Sequence, residues 1–165
     1  MNYSNKVLNF FKKPKHSGIM KNPDTIGTAG SLHCGDTMAI YLKIAKNKKG
    51  EEFIKNVRYK TFGCVAAIAS SEALSRIIKN KTLKECLTLT NDDLVYELNG
   101  LPEIKIHCSL IGIDALVDAI YLYYSKNHPE LITKDLQDKE DEINRKKQIL
   151  ETRYKEWYNK EMNDF

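Results

Sequence analysis

Between Thr37 and Phe62 the apolar residues of this chain fall largely on alternate positions, and from Ile68 onward they recur every third or fourth. Period two belongs to a strand half buried on one face, and period 3.6 to a helix. The change falls at Gly63-Cys64 and divides the chain into a strand pair and a run of helices. Met38, Ile40, Leu42 and Ile44 mark one strand over 37–45. Lys46-Asn-Lys-Lys-Gly50 has the composition of a hairpin turn, and Phe53, Val57, Tyr59 and Phe62 mark the returning strand, with an irregularity near Ile54. Both strands belong to a small antiparallel sheet.

The helices follow from periodicity and caps. Tyr3, Val7, Leu8, Phe10 and Phe11 form a short stripe ended by Lys13-Pro14, and Gly18 to Gly30 reads as an irregular loop. Ile68, Ala69, Glu72, Leu74, Ile77 and Ile78 predict a helix of about four turns. Thr82 with Glu85 makes a capping box for a short helix through Leu89, and a second short helix runs from Thr90 to Leu98, with Gly100 closing it. Leu101-Pro102 breaks the pattern, with Ile104 and Ile106 as an extended stub. Leu110, Ile113, Leu116, Val117, Ile120 and Tyr124 then predict a long amphipathic helix from Ser109, which can cap it. Helix, strands, then helices is the order of an α+β fold.

The end of the chain differs in character. Leu136, Ile143, Leu150 and Trp157 stand seven apart, but the positions three further on are Lys139, Lys146, Arg153 and Lys160. A coiled coil needs a second apolar track, so one track suits a helix lying on its own domain or on a partner. The expected organisation is one domain over 1–126 and a charged, mostly helical extension over 127–165.

At 42% hydrophobic and 29% charged residues, the chain is no collagen, mucin or wholly disordered tail. Uninterrupted apolar runs such as Val65 to Ala69 fall far short of the roughly 20 residues that span a bilayer, so no membrane partner is expected. The opening Met1-Asn-Tyr-Ser-Asn-Lys shows no secretory signal, which predicts a cytoplasmic protein. The formal charge of +4 is spread over solvated lysines without the clustering of a nucleic-acid footprint.

Chemistry concentrates at the cysteines: Cys34, Cys64, Cys86 and Cys108. Without a secretory signal, metal or thiol chemistry is a stronger reading than a disulfide framework. Cys64 stands at the junction of strand and helix, and Cys108 just before the long helix. Unpaired N–H groups at a helix start stabilise a thiolate, which is both nucleophile and metal ligand. Gly35 and Gly63 let the backbone approach a bound group closely. Cys86, mid-helix, reads as an inert small hydrophobe. Asp36 lies two residues from Cys34, on one face if the segment is a strand, and His107 adjoins Cys108. There is no Cys-x-x-Cys, so a closed structural zinc site is not indicated. Spacing alone leaves a metal or sulfur site and ordinary buried thiols both open.

The local words are more specific than the spacing. Gly30-Ser-Leu-His-Cys-Gly-Asp36, Tyr59-Lys-Thr-Phe-Gly-Cys64, Ala67-Ile-Ala-Ser-Ser71 and Ile106-His-Cys-Ser109 occur in this order. With them the chain resembles the NifU/IscU-type iron–sulfur cluster assembly scaffolds from about Tyr3 to Tyr124. The resemblance implies a small antiparallel sheet of about three strands with helices packed on one side. It also implies cluster ligation by Cys34, Cys64 and Cys108, with Asp36 as the residue tied to cluster lability and His107 as an adjacent or alternative ligand. Cys108 would receive sulfur from a cysteine desulfurase, and Lys105 would stand near the site. The implied role is that of a scaffold, not an enzyme. It would assemble a transient [2Fe–2S] cluster from iron and desulfurase-derived sulfur, with a ferredoxin-type reductant, for transfer to apo iron–sulfur acceptors. Homo-oligomers are compatible with this, and zinc can occupy the same pocket in isolated members. A zinc-binding sulfur acceptor that stimulates a desulfurase is the alternative function, and a stable electron carrier a third. Two departures stand out: Val65-Ala66-Ala67 follows Cys64 where the family usually has Gly-Ser-Ala, and Leu101-Pro102-Glu103-Ile104-Lys105 replaces Leu-Pro-Pro-Val-Lys. The glutamate speaks against recruitment of an Hsp70-type chaperone.

Overall fold

Alternation dictates the hairpin. In the computed structural model, which describes residues 2–163 and the side chains except Tyr154 and 156–163, β2 spans Thr37–Lys46 and β3 spans Glu52–Phe62. They pair antiparallel, with a register shift between Lys43 and Ile44 that sets Ile44 opposite Ile54, where the irregularity was expected. Asn47 organises the turn: its Oδ1 accepts the N–H groups of Lys49 and Glu51, and Gly50 adopts φ +79°.

The expected loop over 18–30 contains a third strand. Thr25–Gly30 forms β1 and pairs antiparallel with β2, from Thr25 opposite Leu42 to Gly30 opposite Thr37. The order β1-β2-β3 puts the hairpin's first strand in the middle. Gly27 hides this strand from a propensity reading, and packing explains it. A Cβ there would lie 2.0 Å from the Ala115 carbonyl oxygen and 2.4 Å from the Ala119 nitrogen, so only glycine lets strand and helix come this close.

The helices are α1 (Asn5–Lys12), α2 (Val65–Ile78), α3 (Leu83–Cys86), α4 (Asn91–Glu97), α5 (Ile106–Asn127) and α6 (Lys134–Asn163). Ser4 caps α1 through the Val7 N–H, and Thr82–Glu85 and Thr90–Asp93 form complete capping boxes at α3 and α4. Ile104 and Ile106 are not extended: Glu103–Lys105 makes a 3-10 turn that runs directly into α5. Pro102, at φ −54°, starts this helical run as readily as it breaks one. The earlier start places Ser109 inside the first turn of α5 instead of at its cap. There its hydroxyl, in contact with Asn91 Oδ1, reaches the Ile106 carbonyl at 2.6 Å.

The core lies between the sheet and helices α2 and α5. Ile40, Leu42, Ile54 and Val57 meet Leu74, Ile78, Leu116 and Ile120, all almost fully buried. Each such side chain contributes about 1.5–3 kcal/mol relative to exposure. The run Glu103–Asn127 is long and apolar enough to cross a membrane by length and composition, yet it is the central helix of this core. Glu72 of α2 is wholly buried and accepts from the His16 backbone, His16 Nδ1 and Arg76 Nε. Burial pushes its carboxyl up, but these hydrogen bonds outweigh it and hold the pKa below the usual value.

α6 lies back on its own domain, against α5 and β1. Leu136, Ile143 and Leu150 are buried on that side; the Trp157 side chain lies outside the described residues.

Candidate metal centre

Three loops meet at one end of the sheet. The first, 31–36, is a tight turn before β2, so Cys34 and Asp36 do not share a strand face. Ser31 knots it: its N–H reaches the Asp36 carbonyl at 2.9 Å, its carbonyl accepts from Gly35 N–H at 3.0 Å, and its hydroxyl oxygen accepts from His33 and Cys34 N–H. Gly35 holds φ +72°, which favours glycine. The turn splits its two candidate ligands, leaving Cys34 exposed and Asp36 buried.

The second loop is Gly63-Cys64. Cys64 is the N-cap of α2, and its backbone N–H donates to Asp36 Oδ2 at 3.2 Å. Gly63 is required for that approach, because a Cβ would stand 2.8 Å from the Asp36 carboxyl carbon and from Oδ2. The third is the start of α5, where Cys108 is the third helical residue and 1% exposed. Ala66 and Ala67, small and buried, let the starts of α2 and α5 close around it.

Cys64 Sγ and Cys108 Sγ are 3.5 Å apart, and His107 Nε2 is 3.4 Å from Cys108 Sγ. Two trios have their donor atoms all within 4.8 Å: Cys34, His107 and Cys108, and Asp36, Cys64 and Cys108. Tetrahedral thiolate ligands about 2.3 Å from a metal stand about 3.8 Å from one another, so the donor set suits a metal with little rearrangement. Cys108 belongs to both trios. The sequence-predicted residues Cys34, Asp36, Cys64, His107 and Cys108 are therefore brought together. Cys86 is not: it is buried elsewhere, and burial pushes its thiol up to about 12.

The electrostatics correct one expectation. A helix start was expected to lower the Cys108 pKa, but burial pushes it well above the usual thiol value, helped by Cys64 and by the charges of Cys34 and Asp36. Protein alone thus favours a thiol; a cation among these donors reverses that, since a coordinating thiol is deprotonated outright. Lys105 adjoins the set, its pKa raised mainly by the charge of Cys64. Tyr3 is a residue that the site reading missed. It packs, as Cys64 does, against the buried cluster of Ala66, Ala67 and Cys108, and burial and the Cys64 charge raise its phenol. Its place in an apolar stripe marks it as core, and in the resemblance it stands as the start of the matching stretch without a role at the site. His33 is the other, its ring 5.7 Å from that of His107.

Residues 2–130 match the NifU-like N-terminal domain family. The chain belongs to that family. Among its NifU-like relatives is the iron–sulfur cluster assembly scaffold protein IscU 1 of Archaeoglobus fulgidus, 42% identical over 125 residues that cover 76% of this chain and 78% of that one. The IscU scaffold of Escherichia coli is 39% identical over 129 residues, 76% of this chain and 97% of that one. The nitrogen fixation protein NifU of Trichormus azollae is 41% identical over 127 residues, 73% of this chain but only 41% of that longer protein. A crystal structure of an N-terminal NifU-like protein from Brucella abortus superposes with a TM-score of 0.55 at 22% identity, covering 74% of this chain and 94% of that one, and bears on the fold alone.

Proposed function

We propose that this protein is a scaffold on which a labile [2Fe–2S] cluster is assembled from iron and desulfurase-derived sulfur and then passed to apo iron–sulfur proteins. The observation that carries this is the convergence of three thiols, one carboxylate and one imidazole from three loops, with Cys108 common to both trios. The family membership supports it. Cys34, Cys64 and Cys108 serve as ligands, with Asp36 or His107 completing the set. A hard carboxylate or an imidazole beside three thiolates holds soft cargo less firmly than a fourth thiolate, which suits a cluster that must leave.

Sulfur arrives as a persulfide on a cysteine desulfurase. Burial keeps Cys108 a thiol in the closed site, so it gives its proton to solvent once uncovered; the thiolate then attacks the outer sulfur, the donor's S–S bond breaks, and the donor cysteine leaves as a thiolate. Reducing the transferred sulfur to sulfide takes two electrons per sulfur, one from the ferrous ion that becomes ferric in the cluster and one from a ferredoxin-type reductant. Buried as Cys108 is, this step calls for the exposed Cys34 limb to move aside. Lys105 supplies positive charge beside the thiolates. The protein's part is positioning, so it is a carrier and not an enzyme. Its unpaired thiols fit a reducing compartment, and we place it in the cytoplasm.

Anaerobic reconstitution with ferrous iron, cysteine and a cysteine desulfurase, followed by apo-ferredoxin, tests this by visible absorption and circular dichroism. A cluster should form, move to the ferredoxin, and fail to form in Cys64→Ala. A cluster that forms and stays would make the protein an electron carrier. Stimulation of the desulfurase without a cluster would make it a zinc-bearing sulfur acceptor.

A further inference from the structure

α6 does more than cover apolar surface, because its contacts lead toward one ligand. Lys147 Nζ sits 2.7 Å from Asp118 Oδ1, and the other oxygen of Asp118, which is 1% exposed, accepts the Thr28 N–H of β1 at 2.6 Å. Lys146 Nζ pairs with Asp114 Oδ2 at 3.0 Å. One turn on, Leu150 seats over Gly30, so closely that a Cβ there would lie 2.4 Å from its Cδ1. Arg153 Nη1 then donates to the Leu32 carbonyl at 3.1 Å. Thr28, Gly30 and Leu32 are alternate residues of the segment that enters the Cys34 turn. The contacts to Asp114 and Asp118 anchor α6 on α5, whose first turn carries Cys108, while those of Leu150 and Arg153 at its far end reach the segment that carries Cys34. Cys34 is the only exposed thiol of the set, and its limb is tied within itself by the Ser31 knot and to the Cys64 loop through Asp36.

We propose that α6 is a strap on the Cys34 limb, with Leu150 and Arg153 as positioning residues that set how readily this ligand leaves the others. The inference rests on the assignment of Cys34 as a ligand of the cargo. A strap at one limb accounts for two opposed demands. Docked, it keeps Cys34 against Cys108 and His107 and slows loss of cargo. Released, it lets the limb swing out, which uncovers Cys108 and removes one thiolate from the shell.

The test uses the full chain, the double variant Leu150→Ala/Arg153→Gln, the conservative Arg153→Lys, and each change also in a Cys34→Ala background. The probe is zinc alone, with its loss to a chromophoric chelator followed over time. The double variant should release zinc at least about 5-fold faster, Arg153→Lys should stay close to the parent, and in the Cys34→Ala background the double variant should add nothing. An equal acceleration in both backgrounds would overturn the inference, since it would show general loosening of the domain. Hydrogen exchange of the metal-free protein is the second reading. Amides 31–36 should exchange about 10-fold faster in the double variant, while those of α2 and β3 keep the parent's rates. Unchanged exchange at 31–36 would overturn the strap even where zinc release is too fast to follow. A parent that takes up no zinc but shows the local exchange would retain the strap and remove the ligand assignment.

Discussion

Gly63 shows how much a single missing Cβ controls at this site. The carboxylate of Asp36 occupies the volume a side chain at position 63 would need, and it is fixed there by the Cys64 N–H. Gly63→Ala must therefore turn the carboxylate away from Cys64 or lift the loop. The groups that orient metal ligands matter about 10–100-fold in affinity, so zinc affinity of this variant should fall by roughly that factor. Chelator competition reads it; an affinity within 2-fold of the parent would mean that Asp36 takes no part in the shell. At this scale the sequence was informative where chemistry is local. A thiol beside a glycine at an element boundary announces itself in a few letters, and Cys34, Cys64 and Cys108 do meet. Tyr3 could not be read in the same way, because an aromatic in a short amphipathic stripe carries the same signal whether it lines a core or a site. Nor could the high pKa of Cys108, which depends on how deeply Ala66 and Ala67 let it sink between two helices and on the charges around it.

At the scale of elements, what could be read depends on period and on caps. The hairpin and α2 followed from spacing and the Thr82–Glu85 capping box announced α3, whereas the sequence left Asn91 or Thr90 as the cap of α4 and the structure gives Thr90, in a box with Asp93. β1 was hidden because its pattern, Thr-Ile-Gly-Thr-Ala-Gly, has glycines where a strand reader expects branched residues. The glycines answer to a neighbour far along the chain. At Gly27 the obstacle to a side chain is the backbone of α5, which cannot step aside as a flexible side-chain end could. Gly27→Ala should therefore cost about 2–3 kcal/mol, at the upper end of ordinary overpacking. Urea unfolding followed by circular dichroism measures it, and a loss below about 0.5 kcal/mol would mean that β1 and α5 are less tightly apposed than described. Gly30→Ala makes the contrast, since its obstacle is the end of the Leu150 side chain, which can rotate.

At the scale of the whole molecule, the seven-residue track of Leu136, Ile143 and Leu150 left two destinations for α6, its own domain or a partner, and the docked helix chooses the first. Docking brings an acidic residue into the interior. Glu140 is 2% exposed; its Oε1 accepts from Asn144 at 3.0 Å, Oε2 meets no donor, and the Asp118 carboxylate lies beside the group. Two carboxylate oxygens can bond only with a proton between them. Burial, then the hydrogen bond and charge of Asp118, accordingly raise the Glu140 carboxyl to about 7, with Lys147 and Asn144 opposing. The direction for stability follows from proton counts. Between about pH 4.5 and 7 the folded protein holds a proton that the unfolded chain has released, so this group's contribution is full below that window and is lost as pH rises through it. The loss is on the order of 3 kcal/mol. Glu140→Gln keeps a donor toward Asp118 and has nothing to ionise. Urea unfolding from pH 5 to 8 should show the parent losing stability toward pH 8 relative to the variant, with exchange at 134–150 rising in step. Parallel profiles would assign the carboxyl an ordinary ionised state. The same charge opposes the docking of α6 from within, so alkaline conditions and release of the Cys34 limb should go together.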